Sequence, residues 1–337
     1  MPRAAPTPAV VLGEVLCDLF GPEPGVPLAE AAALVPRPGG APANVAVQLA
    51  RLGCAVELLS AVGDDPLGAR VLTELEREGV GVRYVQRRAD RRTGLTLVEV
   101  DAAGERSFCP WRERSADQSF SERDLPPSLL DETPLLHRGT VTLRSEPART
   151  ATRAAVERAR LAGAIISLDV NLRFRMFPSA EKLCALARGA VRGAHVVKAT
   201  RQEAEALYGA RPTDALVDRL HASGARLVLL TFDVDGALLS SHRARVQVPA
   251  PAVPVVDATG AGDAFMGALL AELLRRDLGP EDLSTLDDAA LEDLGGKACW
   301  AGAQAVTALG ATTGMVRSLA GAATSRPCRT PSDPLPS

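Results

Sequence analysis

The chain has 337 residues, of which 46% are hydrophobic, and its formal net charge is −3 at pH 7. This length can bury a large core in one big domain or two smaller ones. The charge balance lacks the basic field that attracts nucleic acid or an anionic membrane, so neither partner is expected. The first nine residues lack the apolar stretch of a signal peptide, and no apolar run is long enough for a membrane span.

Cysteine usage indicates the compartment. The six cysteines are scattered without a C-x-x-C pair, and the four histidines have no ligand spacing with them. Scattered thiols are typical of a reducing environment rather than of a disulfide framework. We therefore expect a cytoplasmic protein.

The amino-terminal part alternates between strand and helix patterns. Val10–Leu12 and Val15–Leu16 predict one strand. A helix is predicted at Pro42–Leu52, because proline occupies its first turn and Gly53 follows as a stop signal. A short strand and an amphipathic helix come next, at Val56–Leu59 and Pro66–Glu78.

The next stretch shows strands without helices. Thr93–Val100 and Arg106–Pro110 flank the turn-rich Asp101–Gly104, which is typical of a hairpin. Such a stretch does not fit a layer in which strands and helices alternate. It predicts a small β-sheet lid that stands off the main domain and is formed by about residues 14–38 and 93–115.

Alternation resumes in the second half and defines the fold class. Strands are predicted at Ala164–Asp169, His195–Lys198 and Leu227–Phe232, the last leading into a hairpin through Asp235–Gly236, and helices at Pro147–Ala162, Ala180–Ala190, Arg201–Tyr208, Thr213–His221, Asp263–Arg276 and about Asp287–Leu309. Gly295–Gly296 would allow a break in the last helix. The alternation predicts an α/β domain over residues 8–318, with a mostly parallel central sheet and helices on both faces. Residues 319–337 are rich in proline, serine and alanine and predict a disordered tail.

One late stretch carries a chemical signal. From Val255 to Leu274 the sequence is VVDATGAGDAFMGALLAELL. The glycine turn can present bare N–H groups at a helix amino terminus, where an anion is favoured. A carboxylate within the same turn could accept a proton from an alcohol, so the motif suits phosphoryl transfer. Alternatively, Asp263 only caps the helix. The dipole would keep this carboxylate ionised and make it a modest base.

Polar residues elsewhere could complete such a site. Asn44 is predicted in a first helical turn behind Gly39 and Gly40, where it could hold a polyol hydroxyl or simply cap the helix. Asp18 follows the first predicted strand, and Asp169–Arg173 follows a buried one. Ligands of open α/β sheets bind beyond the carboxyl ends of the strands. Surface turns and caps are the alternative role for these residues.

The chain resembles the ribokinase-like (pfkB) carbohydrate kinases, most closely the fructokinase group. The resemblance rests on Gly-Gly-Ala-Pro-Ala-Asn-Val-Ala near the start, Asp-x-Asn-Leu-Arg in the middle and Asp-x-Thr-Gly-Ala-Gly-Asp late, and it runs from about Val10 to Gly314. It implies a ribokinase-like fold and ATP-dependent phosphorylation of a sugar hydroxymethyl group, with D-fructose converted to fructose 6-phosphate. The implied cofactors are ATP as co-substrate, Mg²⁺ and K⁺. Independently of the resemblance, the open strands of the lid could pair across a two-fold axis to form a homodimer.

The resemblance also assigns roles to residues. Asp263 matches the general base, and Gly260, Ala261 and Gly262 match the anion hole. Sugar-binding positions are Asp18, Gly39, Gly40, Asn44, Asn171, Arg173 and, in the hairpin, Arg112. Nucleotide-binding positions are Lys198, Thr231, Gly236 and Cys299. Metal-linked positions are Glu203 for magnesium, and Asp257 and Thr259 for the monovalent cation.

Four departures from the family pattern leave parts of the function open. Thr200 replaces an asparagine before Glu203, and Cys109-Pro110 interrupts a strand that is usually aromatic. Asp233 stands where a glycine is usual, and Cys299 stands where an asparagine beside adenine is common. Asp233 and Cys299 leave open how tightly the nucleotide binds and which nucleotide it is.

Other functions within and outside this enzyme class remain open on the sequence. A 2-keto-3-deoxygluconate kinase or a ribokinase-type enzyme is the nearest alternative. The other is a non-catalytic sugar- or nucleotide-binding regulator on the same fold. Loss of Asp263 or of the glycines would favour the regulator, and all are present.

Overall fold

The computed structural model describes residues 7–21, 25–100 and 106–324, and these form two β-sheets with flanking helices. In chain order the strands are β1 (Ala9–Leu12), β2 (Leu16–Phe20), β3 (Val35–Gly39), β4 (Val56–Gly63), β5 (Val85–Arg88), β6 (Gly94–Val100), β7 (Arg106–Trp111), β8 (Leu135–Arg138), β9 (Ile165–Asp169), β10 (Val196–Thr200), β11 (Leu227–Thr231), β12 (Ala237–Ser240) and β13 (Arg245–Val248). The α-helices are α1 (Ala41–Arg51), α2 (Pro66–Arg77), α3 (Pro127–Glu132), α4 (Ala148–Leu161), α5 (Ala180–Arg192), α6 (Arg201–Tyr208), α7 (Thr213–Ala222), α8 (Ala261–Arg275) and α9 (Asp288–Ala305).

The larger sheet is mostly parallel, which confirms the predicted fold class. Within the described residues its strand order is β13-β12-β11-β10-β9-β8-β1-β4-β5. Neighbours from β11 to β5 are parallel, whereas β12 and β13 are antiparallel additions at one edge. Thr231 pairs with Ala237 across the predicted hairpin turn. The chain leaves the central β1 in one direction towards β4 and later returns on its other side at β8, which creates a crevice at the carboxyl ends.

Helices cover both faces of this sheet. Successive buried residues of one strand belong to different apolar clusters, as Val10 and Val11 show. One cluster includes residues of α1, α2, α8 and α9, and the other includes residues of α3 to α7. This two-sided burial explains why the central strands read as continuous apolar runs.

The smaller sheet has the order β3-β2-β6-β7, and we call it the small sheet. Its strands fall within the segments predicted to form a lid. The prediction of one strand from Val10 to Leu16 is wrong, because the chain changes sheet at Gly13–Val15. All residues from Ala9 to Cys17 are buried, so the apolar pattern is uninterrupted where the chain turns.

The carboxyl-terminal part differs from prediction in two respects. Helix α9 is unbroken at Gly295 and ends at Ala305. A Cβ added to Gly295 would be 2.7 Å from Val248, so the position needs a residue without a side chain. This glycine therefore serves helix–sheet packing. The folded chain also continues past residue 318, since Leu319 is buried and Ala320–Thr324 forms a 3₁₀ helix. The rest of the predicted tail lies outside the described residues.

No helix in the described ranges combines the length and apolarity needed to cross a membrane.

Candidate active site

The parallel strands bring the predicted polar residues to one edge of the larger sheet. Asn171 follows β9, Glu203 lies in the first turn after β10, and Thr231 ends β11. Because these neighbouring strands are parallel, their carboxyl ends lie side by side. Residues that are far apart in the sequence thereby share one crevice.

The centre of the site is a contact between α1 and α8. Asn44 Nδ2 donates a hydrogen bond to Asp263 Oδ2 at 2.8 Å, across 219 residues of sequence. Both side chains are buried. Gly40 is the N-cap of α1 and Gly260 the N-cap of α8, and neither Asn44 nor Asp263 caps its own helix. The capping roles considered for these two residues are therefore wrong.

The turn before Asp263, predicted to be an anion hole, requires glycine at its first position. Gly260 has φ 84°, in the left-handed region, and an added Cβ would lie 2.1 Å from the Ala311 carbonyl oxygen. Only glycine fits both constraints. The Ala264 N–H donates to the Gly260 carbonyl at 2.8 Å, and the Ala261 N–H donates to the Ala258 carbonyl at a long 3.4 Å. The N–H groups of this turn lie where helices leave donors without intrahelical partners.

A buried ion pair lies against this turn. Lys198 Nζ is 3.0 Å from Asp169 Oδ2, and the two side chains are 8% and 3% exposed. A Cβ added to Gly262 would be 2.7 Å from the same Nζ. The lysine therefore places a cation beside the predicted anion hole, and its predicted nucleotide role remains untested.

Burial dominates the electrostatics of the site. It raises the pKa of Asp263, although the hydrogen bond from Asn44 and the charges of Lys198 and Arg173 act to lower it. The sequence had predicted a carboxyl kept acidic by the helix dipole, and the net pKa shift is in the opposite direction. Burial also raises the pKa of Asp169 to about 6, against the effect of Lys198. Asp263 is thus a stronger base than the helix position alone indicates.

Glu203 combines a structural role with spare acceptor capacity. It accepts hydrogen bonds from the Leu172 N–H at 2.7 Å and the Thr200 N–H at 2.9 Å. Thr200 Oγ1 accepts in return from the Glu203 N–H at 3.1 Å, so threonine caps α6 where the family pattern has asparagine. A carboxylate with two such bonds still has lone pairs for a hydrated cation.

The carboxylates of the site suit a magnesium ion that is held mainly by substrate phosphates and water. Among the described residues, no group of three or more histidine, cysteine, aspartate or glutamate side chains could hold a metal ion. Magnesium at kinase sites is usually held by one or two carboxylates, substrate phosphates and water. Glu203 and Asp169 fit that arrangement.

Asp257 organises the loop before α8. Its Oδ1 accepts from the Thr259 N–H at 2.8 Å, and its Oδ2 accepts from the Gly310 N–H. The carboxylate therefore ties the loop before the anion turn to the segment after α9. The two predicted cation-binding residues are adjacent in this network, but the structure does not test the cation.

The predicted sugar-binding residues converge from both sheets. The Asp18 carboxylate lies over Gly39, where an added Cβ would be 2.3 Å from Oδ2. Gly40 has φ 106°, and its Cβ would be 2.4 Å from the Glu14 carbonyl oxygen. Asn171 has φ 36°, a conformation that asparagine tolerates better than most residues. Arg173 is exposed and acts electrostatically on Asp263.

The hairpin contributes a buried arginine. Arg112 follows β7, pairs with Asp117 and donates to Met176 Sδ at 3.9 Å. Ser115 Oγ donates to the other Asp117 oxygen at 2.6 Å. These contacts join the end of the small sheet to the segment after β9. The adjacent Trp111 is 62% exposed, so it does not pack beneath a loop.

The predicted nucleotide side is divided between surface and core. Gly236 ends the turn from β11 to β12, and Asp233 in this turn has φ 50°. That angle explains why glycine is usual at the Asp233 position. Cys299 is buried in α9 and donates to the Val248 carbonyl at 3.8 Å, and burial raises the pKa of its thiol to about 12. Cys299 has a packing role, and its nucleotide role remains a prediction.

Sequence reasoning did not single out two buried carboxyls, Glu14 and Asp169, that lie at the carboxyl ends of β1 and β9. Glu14 follows β1 and is 5% exposed, and burial raises its pKa to about 7. Its position just after a buried strand was the available signal. The same reasoning selected Asp18, which the structure instead places inside β2, because the chain has already changed sheet. Asp169 was noted only as part of a motif, and its pairing with Lys198 depends on the parallel contact of β9 with β10.

The model of the pfkB family carbohydrate kinases matches residues 7–317. The chain belongs to the pfkB family of carbohydrate kinases.

Relatives and solved structures agree with this membership. A fructokinase-1 from Oryza sativa subsp. japonica is 37% identical over 281 residues, covering 83% of this chain and 87% of the relative. A crystal structure of a fructokinase with bound ATP from Xylella fastidiosa has a TM-score of 0.84 at 30% identity, covering 92% and 95%. A fructokinase structure from Vibrio cholerae O395 in a fructose, ADP and calcium ion bound form has a TM-score of 0.79 at 30% identity, covering 92% and 96%. The chain is a carbohydrate kinase of the ribokinase-like fold.

Proposed function

We propose that this enzyme transfers the γ-phosphoryl group of ATP to the 6-hydroxymethyl group of D-fructose, giving fructose 6-phosphate. The hydrogen bond from Asn44 to Asp263 carries the proposal, because it joins a sugar-binding amide to a buried base at an anion turn. The ATP-bound and fructose-bound structures of similar fructokinases support the choice of both substrates.

The proposed mechanism follows from the geometry. Asp263 accepts the proton of the sugar hydroxyl as the hydroxyl oxygen attacks the γ-phosphorus of ATP, the bond from that phosphorus to the β,γ-bridging oxygen breaks and ADP leaves; the raised pKa of Asp263 favours this role. The first-turn N–H groups at Gly260, Ala261 and Gly262 stabilise charge on the transferred group. Lys198, beside Gly262, adds a positive charge at the same place. Glu203 and Asp169 would hold a magnesium ion, which would neutralise charge on the phosphates.

The small sheet is proposed to be a lid over the sugar. Asp18 on β2 and Arg112 after β7 reach the site from this sheet, whereas Asn44 and Asp263 come from helices of the main domain. A sugar between the two groups would contact both. Closure of such an element excludes water and completes the catalytic arrangement.

A sugar panel tests the proposed function. ADP release is measured with magnesium, ATP and each of D-fructose, D-ribose and 2-keto-3-deoxygluconate. A site that hydrogen-bonds particular hydroxyls can discriminate ~10⁴-fold or more in kcat/KM against analogues that lack them. We therefore expect kcat/KM for fructose to exceed the values for the other sugars by a wide margin. Equal or faster turnover of another panel sugar contradicts the fructose assignment, and release with none supports the regulator.

A further inference from the structure

One buried carboxyl beside the predicted sugar-binding residues is not used by the proposed mechanism. Glu14 is 5% exposed, and its Oε2 has no hydrogen-bond partner among the described residues. An unpartnered polar atom of this kind costs stability unless a ligand satisfies it. Glu14 lies just after β1, at the carboxyl ends of the strands where ligands of such sheets bind, so its unpartnered oxygen is a candidate ligand contact.

The surroundings of Glu14 place it beside the sugar-binding residues. An added Cβ on Gly40 would be 3.4 Å from Glu14 Cγ, so the stem of the glutamate lies against this glycine. The charge of Arg173 acts on both Glu14 and Asp263. One arginine is therefore near enough to act on both carboxyls.

A second unsatisfied atom lies in the same region. Arg112 is 5% exposed, and its Nε has no hydrogen-bond partner among the described residues, although its other nitrogens contact Asp117 and Met176. Among the charged groups near Glu14, Arg112 has the largest effect on its pKa. An unsatisfied acceptor and an unsatisfied donor near each other suit a ligand with several hydroxyls, because each hydroxyl both donates and accepts.

We propose that Glu14 is a substrate-binding residue that accepts a hydrogen bond from a sugar hydroxyl other than the one phosphorylated, with Arg112 Nε as the neighbouring donor. This inference rests on the proposed function, which assigns the reacting hydroxyl to Asp263. A fixed carboxylate at this place determines specificity, because an analogue without the matching hydroxyl leaves a buried charge unpaired.

The test compares Glu14→Gln and Glu14→Ala with a matched control. Glu57 also has an unpartnered buried oxygen, but it lies near the amino end of β4, away from the carboxyl ends that form the site. Hydrogen bonds to charged groups correspond to a ~10–100-fold change in binding. KM for fructose should rise by that factor in Glu14→Ala and by less in Glu14→Gln. Glu57→Gln should leave it unchanged, and KM for ATP should change little in all three.

Two further measurements separate binding from structure. Across a series of singly deoxygenated fructose analogues, the analogue that lacks the Glu14-bound hydroxyl should be penalised in the wild type and not in Glu14→Ala. The Tm of Glu14→Ala without sugar should not fall. The inference is overturned by unchanged KM values, or by identical analogue penalties in wild type and variant.

Failure of the fructose assignment is distinguishable from failure of this inference. The Glu14 variants are measured on whichever panel sugar the wild type turns over fastest. A different preferred sugar refutes the fructose assignment. The response of its KM to Glu14→Ala then decides the role of Glu14 by itself.

Discussion

At the scale of single residues, burial changes the chemistry of carboxyls that a sequence would assign ordinary pKa values. Asp263, Asp169 and Glu14 all have raised pKa values, and in each the largest cause is loss of solvation. Nearby cations oppose the shift without cancelling it. The site therefore holds carboxyls that bind protons or hydroxyl donors more strongly than exposed ones do.

Asp263→Asn tests the general base. The amide can keep the shape of the side chain and accept from Asn44 through its oxygen, but it cannot accept the substrate proton. We expect kcat to fall by ~10²–10⁴-fold, the usual contribution of a positioned base, with ATP affinity and Tm little changed. Steady-state kinetics and calorimetry check this. An early-melting variant whose folded fraction keeps full kcat would assign Asp263 a structural role only.

Glu14 should make stability depend on pH. Its folded pKa of about 7 lies above the ordinary value of 4.5, and Arg112, Asp117 and Arg173 are the charged groups acting on it. Such a group stabilises the fold fully below pH 4.5 and loses this contribution as pH rises through 7. At 1.36 kcal/mol per pKa unit, the loss is roughly 3 kcal/mol. Denaturant titrations should show Glu14→Gln more stable than wild type at pH 8 and nearly equal at pH 5. Parallel pH profiles would contradict this.

At the scale of elements, the anion turn depends on contacts with the segment after α9. Gly260 packs against Ala311, and Asp257 accepts from the Gly310 N–H. Arg37 of β3 donates to the Leu309 carbonyl at 3.1 Å and to Thr313 Oγ1 at 3.2 Å. The residues 309–313 thus contact the small sheet and the anion turn together, so the geometry of one constrains the other.

Gly260→Ala should damage the turn, whereas Gly296→Ala in α9 should not. The first places a Cβ 2.1 Å from a carbonyl oxygen at positive φ, and the second meets nothing within 4 Å. We expect Gly260→Ala to lower both Tm and kcat. Gly296→Ala should gain up to about 1 kcal/mol from helix propensity. Equal effects of the two substitutions on kcat would show that the turn geometry does not matter.

The loop that Asp257 organises should make activity respond to potassium. A monovalent ion bound there would stabilise the turn that carries the predicted anion hole. Replacing a bulky organic cation by potassium at constant ionic strength and saturating magnesium should raise kcat. Asp257→Asn should weaken the response. Asp293→Asn, at an exposed position of α9, serves as the control. A wild-type rate that ignores potassium at every magnesium level would exclude the site.

At the scale of the whole molecule, the edge strands β3 and β7 of the small sheet pair with no further strand among the described residues, and the sheet has exposed apolar side chains. Phe108 on β7 is 44% exposed, and Val35 on β3 is 39% exposed. Unpaired strand edges with apolar residues are common pairing sites between copies of a chain. We therefore propose that two copies associate through their small sheets.

Sedimentation velocity tests this association. The wild type should sediment as a dimer at micromolar concentration, and Phe108→Ser should shift it towards monomer. Leu161→Ser, which removes a 74% exposed side chain from α4, should leave the dimer intact. A wild type that remains monomeric at all concentrations would refute the proposal, as would a dimer that survives Phe108→Ser.

Local patterns in the sequence determined most elements and the chemical motif. The helix at Arg201–Tyr208 and the strands β9, β10 and β11 were predicted to within a few residues, because apolar periodicity and stop signals are local properties. The glycine turn before Asp263 was recognisable for the same reason. Strands β3, β5, β8 and β13 and helix α3 were not predicted, since short segments have too few residues to show a period.

Only the tertiary structure decided which residues meet. The change of sheet at Gly13–Val15, the pairing of Lys198 with Asp169 and the hydrogen bond from Asn44 to Asp263 all depend on contacts between distant segments. The pKa of a carboxyl likewise depends on the atoms that exclude water from it, and these come from many parts of the chain. The sequence therefore determined the elements and the class of chemistry. Folding decided the base strength of Asp263 and the burial of Glu14, because burial and distance are properties of the packed chain.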